Sequence, residues 1–314
     1  MKKKNLDWFT KFDPFKHIKK KDISLKEIKK KNNKLIRKFN NELKNKYGQI
    51  GKLLHPYGIL LNSPWPIIIS IFLIDLFVFL VCIIYNVKYS NILFEITLLF
   101  VATATIYWFK ELIEEGYYKG EHTEVEISNL MIGFILFVIS EIVIFLILFF
   151  CYYYNSMAPN IEIGGVYPPF NIKVIDPYSL PLFNTALLYF SGITLSISQN
   201  YMISRLKDFT KKYMKWTIYL ALLFTLVQLF EYKHAFYTII DSVYGTNFYI
   251  LTGFHGIHVI IGTTLIIVTY FRFKFDHFQE NNQVGFHAAA IYWAFVDWLW
   301  LFIMAFVYLG FGIN

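Results

Sequence analysis

Cysteine is nearly missing from this sequence: its 314 residues contain two, Cys82 and Cys151, each within an apolar stretch. A disulfide framework and a Cys-x-x-Cys metal site are thereby excluded. Arginine is scarce as well, with Arg37, Arg205 and Arg272 standing against 27 lysines. Lys, Asn, Ile, Phe and Tyr, the residues of A/T-rich codons, are used heavily instead. We take this as a hypothesis of an A/T-rich genome such as an organelle's, which a gene of ordinary base content would remove. Charge is also thin outside one segment. Residues 1–52 hold 18 Lys/Arg and 5 Asp/Glu, leaving 12 and 17 for the rest, so the net charge of +8 resides in that segment. No basic patch for nucleic acid remains elsewhere.

What the sequence does contain is hydrocarbon. It is 56% hydrophobic and has 33 Phe, more apolar side chain than a soluble domain of this length can keep from water. Apolar runs near 66–85, 92–109, 129–153, 182–203, 213–232, 247–271 and 288–309 each approach or exceed the ~20 residues that cross a bilayer as a helix. The expected fold is therefore all-α, an integral membrane bundle of seven transmembrane helices. The second run is short and carries Glu95, so six spans is the alternative.

Two parts are expected: a Lys-rich extension over 1–52 and a membrane domain over 53–314. The extension has neither the apolar core of a secretory signal nor the Arg/Ser bias of a transit peptide. Ser24 with Glu27 forms a capping box, and Leu35, Ile36, Phe39, Leu43, Tyr47 and Ile50 recur at helical spacing. An amphipathic helix on an anionic membrane surface or a neighbouring subunit, and a plain solvated arm, both fit. Residues 155–181 hold five of the nine prolines and a Gly-Gly pair, which makes an ordered non-helical strap. With seven spans, Lys110, Lys119, Arg205, Lys207, Lys211, Lys212, Arg272 and Lys274 share one side with the basic extension. The opposite loops offer mainly Lys88, Lys173 and Lys233, in agreement with the positive-inside rule.

Polar residues inside apolar runs are the candidate functional groups, because each is costly in hydrocarbon unless partnered. Glu141, in FVISEIVIFLILFF, lies near the middle of the longest run and is the foremost candidate for a functional carboxyl. Asp75 and Glu95 are expected to pair across helix interfaces. Gln228, Glu231 and Asp297 are expected to hydrogen-bond between helices. His255 and His258, in TGFHGIHVIIGT, sit three apart on one helix face. A stable metal site needs three or four ligands, and the remaining histidines stand at span ends; helix-interface hydrogen bonding is the expectation, with axial haem ligation, which needs one histidine per side, left open by the spacing.

The stretches NSPWP at 62–66, GEHT at 120–123, FILFVISE ending at Glu141, APNIEIGGVYPP at 158–169, PLFNTALLYFSG at 181–192, QLFEY at 228–232, VYGTNF followed by TGFHGIHVIIGT, and GFHAAAIYWAFVDWLWLF at 285–302 occur in one order. Together they make the chain resemble cytochrome c oxidase subunit III, from His55 onward. The resemblance implies two helix groups, two spans and then five, around a cleft that holds phospholipids (cardiolipin, phosphatidylglycerol or phosphatidylethanolamine). It implies no metal, cofactor or catalytic residue in this chain, with haem a and copper in partner subunits I and II. It further implies packing on subunit I, support of that subunit's proton-uptake side, and a place beside an oxygen route. The setting would be the mitochondrial inner membrane, with the N-terminus in the matrix and the C-terminus in the intermembrane space.

Position by position, Glu141 matches the family's membrane-embedded acid. Trp108, Glu115, Tyr118 and His122 match lipid-headgroup contacts after the second span, and Arg272 and His277 match those after the sixth. His255 and His258 become interface residues by the same resemblance. There are departures: Glu111 stands for an aspartate, Glu114 for an arginine, Gln199 and Asn200 for a histidine pair, Ala294 for a histidine and His287 for a glutamate. The basic extension is outside the pattern and is expected to meet accessory, lineage-specific subunits. Three other readings compete: the third subunit of a quinol oxidase, a polytopic transporter, and a retinal photoreceptor. The last would need a lysine in the final span, and 288–309 contain none.

Overall fold

The computed structural model describes residues 63–119, 122, 124–161, 164–170, 172–278 and 283–310. The amphipathic helix expected within 1–52 lies outside them. Among the described residues the chain is all-helical, with seven helices long and apolar enough to cross a membrane. These are α1 (Trp65–Ile84), α2 (Ser90–Glu114), α3 (Glu124–Met157), α4 (Leu180–Ile203), α5 (Lys207–His234), α6 (Val243–Lys274) and α7 (Val284–Ile303). Short π-turns, Glu115–Lys119 and Met304–Tyr308, extend α2 and α7. The doubtful second run is thus a full span, lengthened by the polar residues that follow it.

Local chemistry sets several of the helix ends. Pro66 and Pro181 stand in the first turns of α1 and α4, where a missing N–H costs nothing. Ser242 caps α6, its Oγ accepting from the N–H groups of Tyr244 at 3.1 Å and Gly245 at 3.3 Å. The chain leaves α1, α4 and α6 through left-handed residues at Asn86, Arg205 and Asp276. In the strap, Gly164 and Gly165 adopt φ of +90° and +68°, backbone that favours residues without a Cβ.

The helices fall into two packed groups. α1 packs on α2, with Trp65 stacked on Tyr107 at 5.3 Å and Phe72 on Phe100 at 5.2 Å. α3 to α7 form the second group, in which α6 touches α3, α5 and α7, and α4 touches α5 and α7. Its core holds Phe145, Leu188, Met214, Ala221, Phe224, Phe248, Val259, Ile266, Trp293, Val296 and Trp300. The outward faces of both groups are lined with exposed Ile, Leu, Val and Phe, surface that suits lipid tails or neighbouring subunits and not water.

Hydrogen bonds between side chains tie the second group together. Trp293 Nε1 donates to Ser191 Oγ at 3.0 Å, Trp300 Nε1 to Thr185 Oγ1 at 2.9 Å, and Tyr232 Oη to Thr252 Oγ1 at 2.7 Å. Thr194 and Thr217 hydroxyls meet at 2.9 Å. Close approach of α6 and α7 depends on Gly262, where a Cβ would fall 2.9 Å from Trp293 Cε3 and 3.3 Å from Tyr292 Cδ1. Both rings are fully buried and have nowhere to move. Gly262→Leu is therefore expected to destabilise the bundle by about 1–3 kcal/mol through overpacking, read as a lower thermal midpoint in detergent. An unchanged midpoint would contradict this packing.

Candidate functional site

Glu141 of α3 and His258 of α6 meet across the helix interface, with Nε2 and Oε2 2.9 Å apart and side chains 16% and 7% exposed. The other ring nitrogen, Nδ1, lies 2.7 Å from the Phe254 carbonyl. A carbonyl only accepts, so Nδ1 carries the hydrogen. Two lone pairs at 2.9 Å would repel, so Nε2 and Oε2 share one proton. The pair is either acid with imidazole or carboxylate with imidazolium, and its total charge is zero in both. Phe145 meets the ring edge-on at 5.1 Å, Tyr292 stacks at 6.3 Å and Phe295 closes another side at 6.1 Å. A single proton is thus held in an aromatic cage inside the membrane segment, at negligible net charge.

His255 departs from expectation. Its ring is 1% exposed, yet neither nitrogen has a hydrogen-bond partner among the described residues. It packs instead as an aromatic, 5.2 Å from Trp300 and edge-on to Phe224 at 6.0 Å. The three-residue offset turns one imidazole to α3 and the other into the α5–α7 core.

Gln228 and Glu231 each bond to a side chain on another element. Gln228 Oε1 accepts from Asn184 Nδ2 of α4 at 3.2 Å, and Glu231, 2% exposed, accepts from Tyr308 Oη at 2.6 Å. Asp75 and Glu95 do not: neither has a hydrogen bond or ion pair among the described residues, and Glu95 faces outward. The α1–α2 interface is built from ring stacking, which leaves these two acids without a facing donor. Asp297 of α7 lies against Gly192 of α4, where a Cβ would come within 2.6 Å of Oδ2.

The residues expected to hold lipid gather where α2 ends and α6 ends. Tyr117, in the π-turn after α2, stacks on His277 at 4.6 Å and reaches the Asp276 carbonyl with its hydroxyl at 3.4 Å. These contacts join the two helix groups. Glu115 is buried in the same turn, Trp108 is half-buried one helical stretch earlier, and His122 sits against Gly116. The side chain of Tyr118 lies outside the description. Arg272 rests its guanidinium 4.7 Å above the Phe278 ring and directly against Gly285 of α7. Its Nε is buried and makes no hydrogen bond among the described residues. Glu111, the departure from aspartate, accepts from Ser63 Oγ at 2.7 Å. Gln199 and His287, two further departures, meet each other at 3.0 Å, a polar contact between α4 and α7.

Sequence reasoning missed Tyr117, Asn184 and Tyr308. A tyrosine among 23 and an asparagine carry no periodic signal; only their three-dimensional partners mark them. Among the described residues no group of three His, Cys, Asp or Glu comes together to hold a metal ion.

The proton shared by Glu141 and His258 has a direct test. In Glu141→Gln the amide N–H can donate to Nε2, so thermal stability should stay near that of the parent. Glu141→Leu leaves a buried ring nitrogen alone and is expected to cost about 1–3 kcal/mol, measured as a drop in thermal midpoint. Equal midpoints for the Gln and Leu variants would refute the pairing.

Comparison with known proteins completes the assignment. The sequence pattern of the family described as cytochrome c oxidase subunit III matches residues 55–311. The cytochrome c oxidase subunit 3 of Podospora anserina is 37% identical over 254 residues, 81% of this chain and 94% of its own. That of Rhizopus stolonifer is 40% identical over 257 residues, covering 81% and 90%. That of Arabidopsis thaliana is 37% identical over 259 residues, covering 82% and 98%. With both helix groups, the shared-proton pair and the ordered motifs inside the matched region, the chain belongs to the cytochrome c oxidase subunit III family.

Proposed function

We propose that the chain acts as a non-catalytic core subunit of a mitochondrial cytochrome c oxidase, binding phospholipid at one end of its helices and supporting subunit I. In this reading electrons pass from cytochrome c to oxygen through haem a and copper held by subunits I and II. This chain contributes support to proton uptake and a border to the oxygen route. The names of its relatives favour cytochrome c as electron donor over a quinol, and the heavy use of Lys, Asn, Ile, Phe and Tyr, residues served by A/T-rich codons, favours an organellar gene and the mitochondrial inner membrane. The lysine bias of the loops favours the N-terminus in the matrix and the C-terminus in the intermembrane space.

The observation that carries the lipid-binding part is Arg272. A guanidinium stays charged, and a buried N–H donor without an acceptor is costly. Here it sits at the end of α6, on the positive side of the bundle, beside the Tyr117–His277 contact between the helix groups. A phospholipid phosphate supplies the acceptor oxygens that a planar guanidinium fork fits best. Trp108, Glu115, Tyr118, His122 and His277 would frame the rest of that headgroup. The Glu141–His258 pair, neutral and caged, serves as a proton-holding group between the helices that border the cleft.

The test is native mass spectrometry of the intact complex in mild detergent. Arg272→Ala is expected to lose one tightly held phospholipid, and Arg272→Lys to retain it weakly, because an ammonium keeps the charge without the fork. Undiminished lipid content in Arg272→Ala would overturn the assignment.

A further inference from the structure

Among the described residues neither α1 nor α2 packs lengthwise on α3 to α7. Tyr117, in the π-turn after α2, reaches across to the end of α6 instead. Its ring stacks on His277 with centroids 4.6 Å apart and planes inclined by 21°, and its hydroxyl donates to the Asp276 carbonyl at 3.4 Å.

The exit of α6 is shaped to receive it. The Asp276 N–H donates to the Phe273 carbonyl at 3.2 Å and the His277 N–H to the Arg272 carbonyl at 3.0 Å, the two bonds of a Schellman turn. That turn needs one left-handed residue, a place glycine usually fills, and Asp276 occupies it at φ +58°. Two contacts hold Asp276 there. Its carboxylate pairs with Lys207 at the start of α5, and its carbonyl accepts from Tyr117. His277 is buried, and its backbone bond ties the stacked ring to Arg272, the residue that would hold a phosphate.

Resting on the reading of Arg272 as a phospholipid site, we propose that Tyr117 is the latch of that site: its stack on His277 closes the gap between the helix groups and sets how fast the bound phospholipid exchanges. This role differs from binding itself. A phenol ring carries no charge for a phosphate, so its loss leaves the attraction between guanidinium and phosphate in place. A lipid lying between the groups with its phosphate on Arg272 leaves past the ends of α2 and α6, and the stack is the contact it has to open.

In the experiment the intact complex, captured through a tag on this chain, is transferred to micelles of deuterated phosphatidylglycerol, phosphatidylethanolamine and cardiolipin. Native mass spectrometry then follows replacement of the bound unlabelled lipid with time. Tyr117→Leu is expected to exchange about tenfold faster than the parent, the effect of losing one aromatic contact and one weak hydrogen bond, and to end with the same number of lipids. Tyr117→Phe keeps the stack and stays within about threefold. Lys207→Ala, a change at a solvent-exposed ion pair, frees Asp276 and is expected to exchange about threefold faster. Parental rates in both Tyr117→Leu and Lys207→Ala overturn the latch, as does a Tyr117→Phe as fast as Tyr117→Leu. A Tyr117→Leu complex with fewer lipids at the end also overturns it, because Tyr117 would then belong to the binding contact. Where Tyr117→Leu yields no complex, Lys207→Ala alone decides, and a parental rate there overturns it. Arg272→Ala keeps the underlying reading distinct: a lipid lost in that variant but exchanging alike with and without the Tyr117 ring removes the latch and leaves the lipid site standing, whereas undiminished lipid in Arg272→Ala removes both.

Discussion

Hydrocarbon offers no hydrogen-bond partner, and every polar group in this chain's spans must answer to that constraint. The backbone meets it by forming helices throughout. Buried side chains meet it in three ways: by pairing across helices, as Glu141 does with His258 and Glu231 with Tyr308; by bonding back to the preceding turn, as Thr263 does with the Val259 carbonyl; or by packing as an aromatic, as His255 does between Phe224 and Trp300. Pairing has the largest consequence for the fold, because it ties specific helices together and fixes their rotation.

The arrangement of the seven helices follows from where such pairs exist. α3 to α7 share buried polar contacts and large interlocked rings, and they form one bundle. α1 has no buried residue at all; it meets α2 through stacked aromatics, and the pair joins the bundle through Tyr117 and its contacts with Asp276 and His277. A loosely attached helix pair beside a tight five-helix group leaves apolar surface on both. That exposed Ile, Leu, Val and Phe surface suits lipid tails or neighbouring subunits and not water.

Much of this was legible in the residues. Seven apolar runs became seven helices, the proline-rich strap remained non-helical, and the order of short motifs pointed to the family that the comparisons show. Glu141 stood out because one acid in a long apolar run has to be explained, and Gln228 with Glu231 because they share a helix face. The failures have physical causes. His255 and His258 look alike in sequence, but a three-residue step turns one toward an acid and the other into an aromatic core. Asp75 and Glu95 are each expected from sequence to find a partner across a helix interface, yet α1 and α2 meet through stacked rings and, among the described residues, neither helix supplies a donor opposite the acids. Tyr117 and Tyr308 could not be singled out, since a hydroxyl at a helix end gains meaning only from what lies opposite.

The central claim is that the polar side chains within these spans serve helix, lipid and subunit contacts, while electron transfer takes place in other polypeptides. Metal analysis with reduced-minus-oxidised spectroscopy, on the complex captured through a tag on this chain and again on the chain after its partners are stripped away, tests it most directly. The account predicts haem a absorption and copper in the complex, and neither iron nor copper in stoichiometric amount on the stripped chain. A redox-active metal that stays with the stripped chain at one per polypeptide would contradict it.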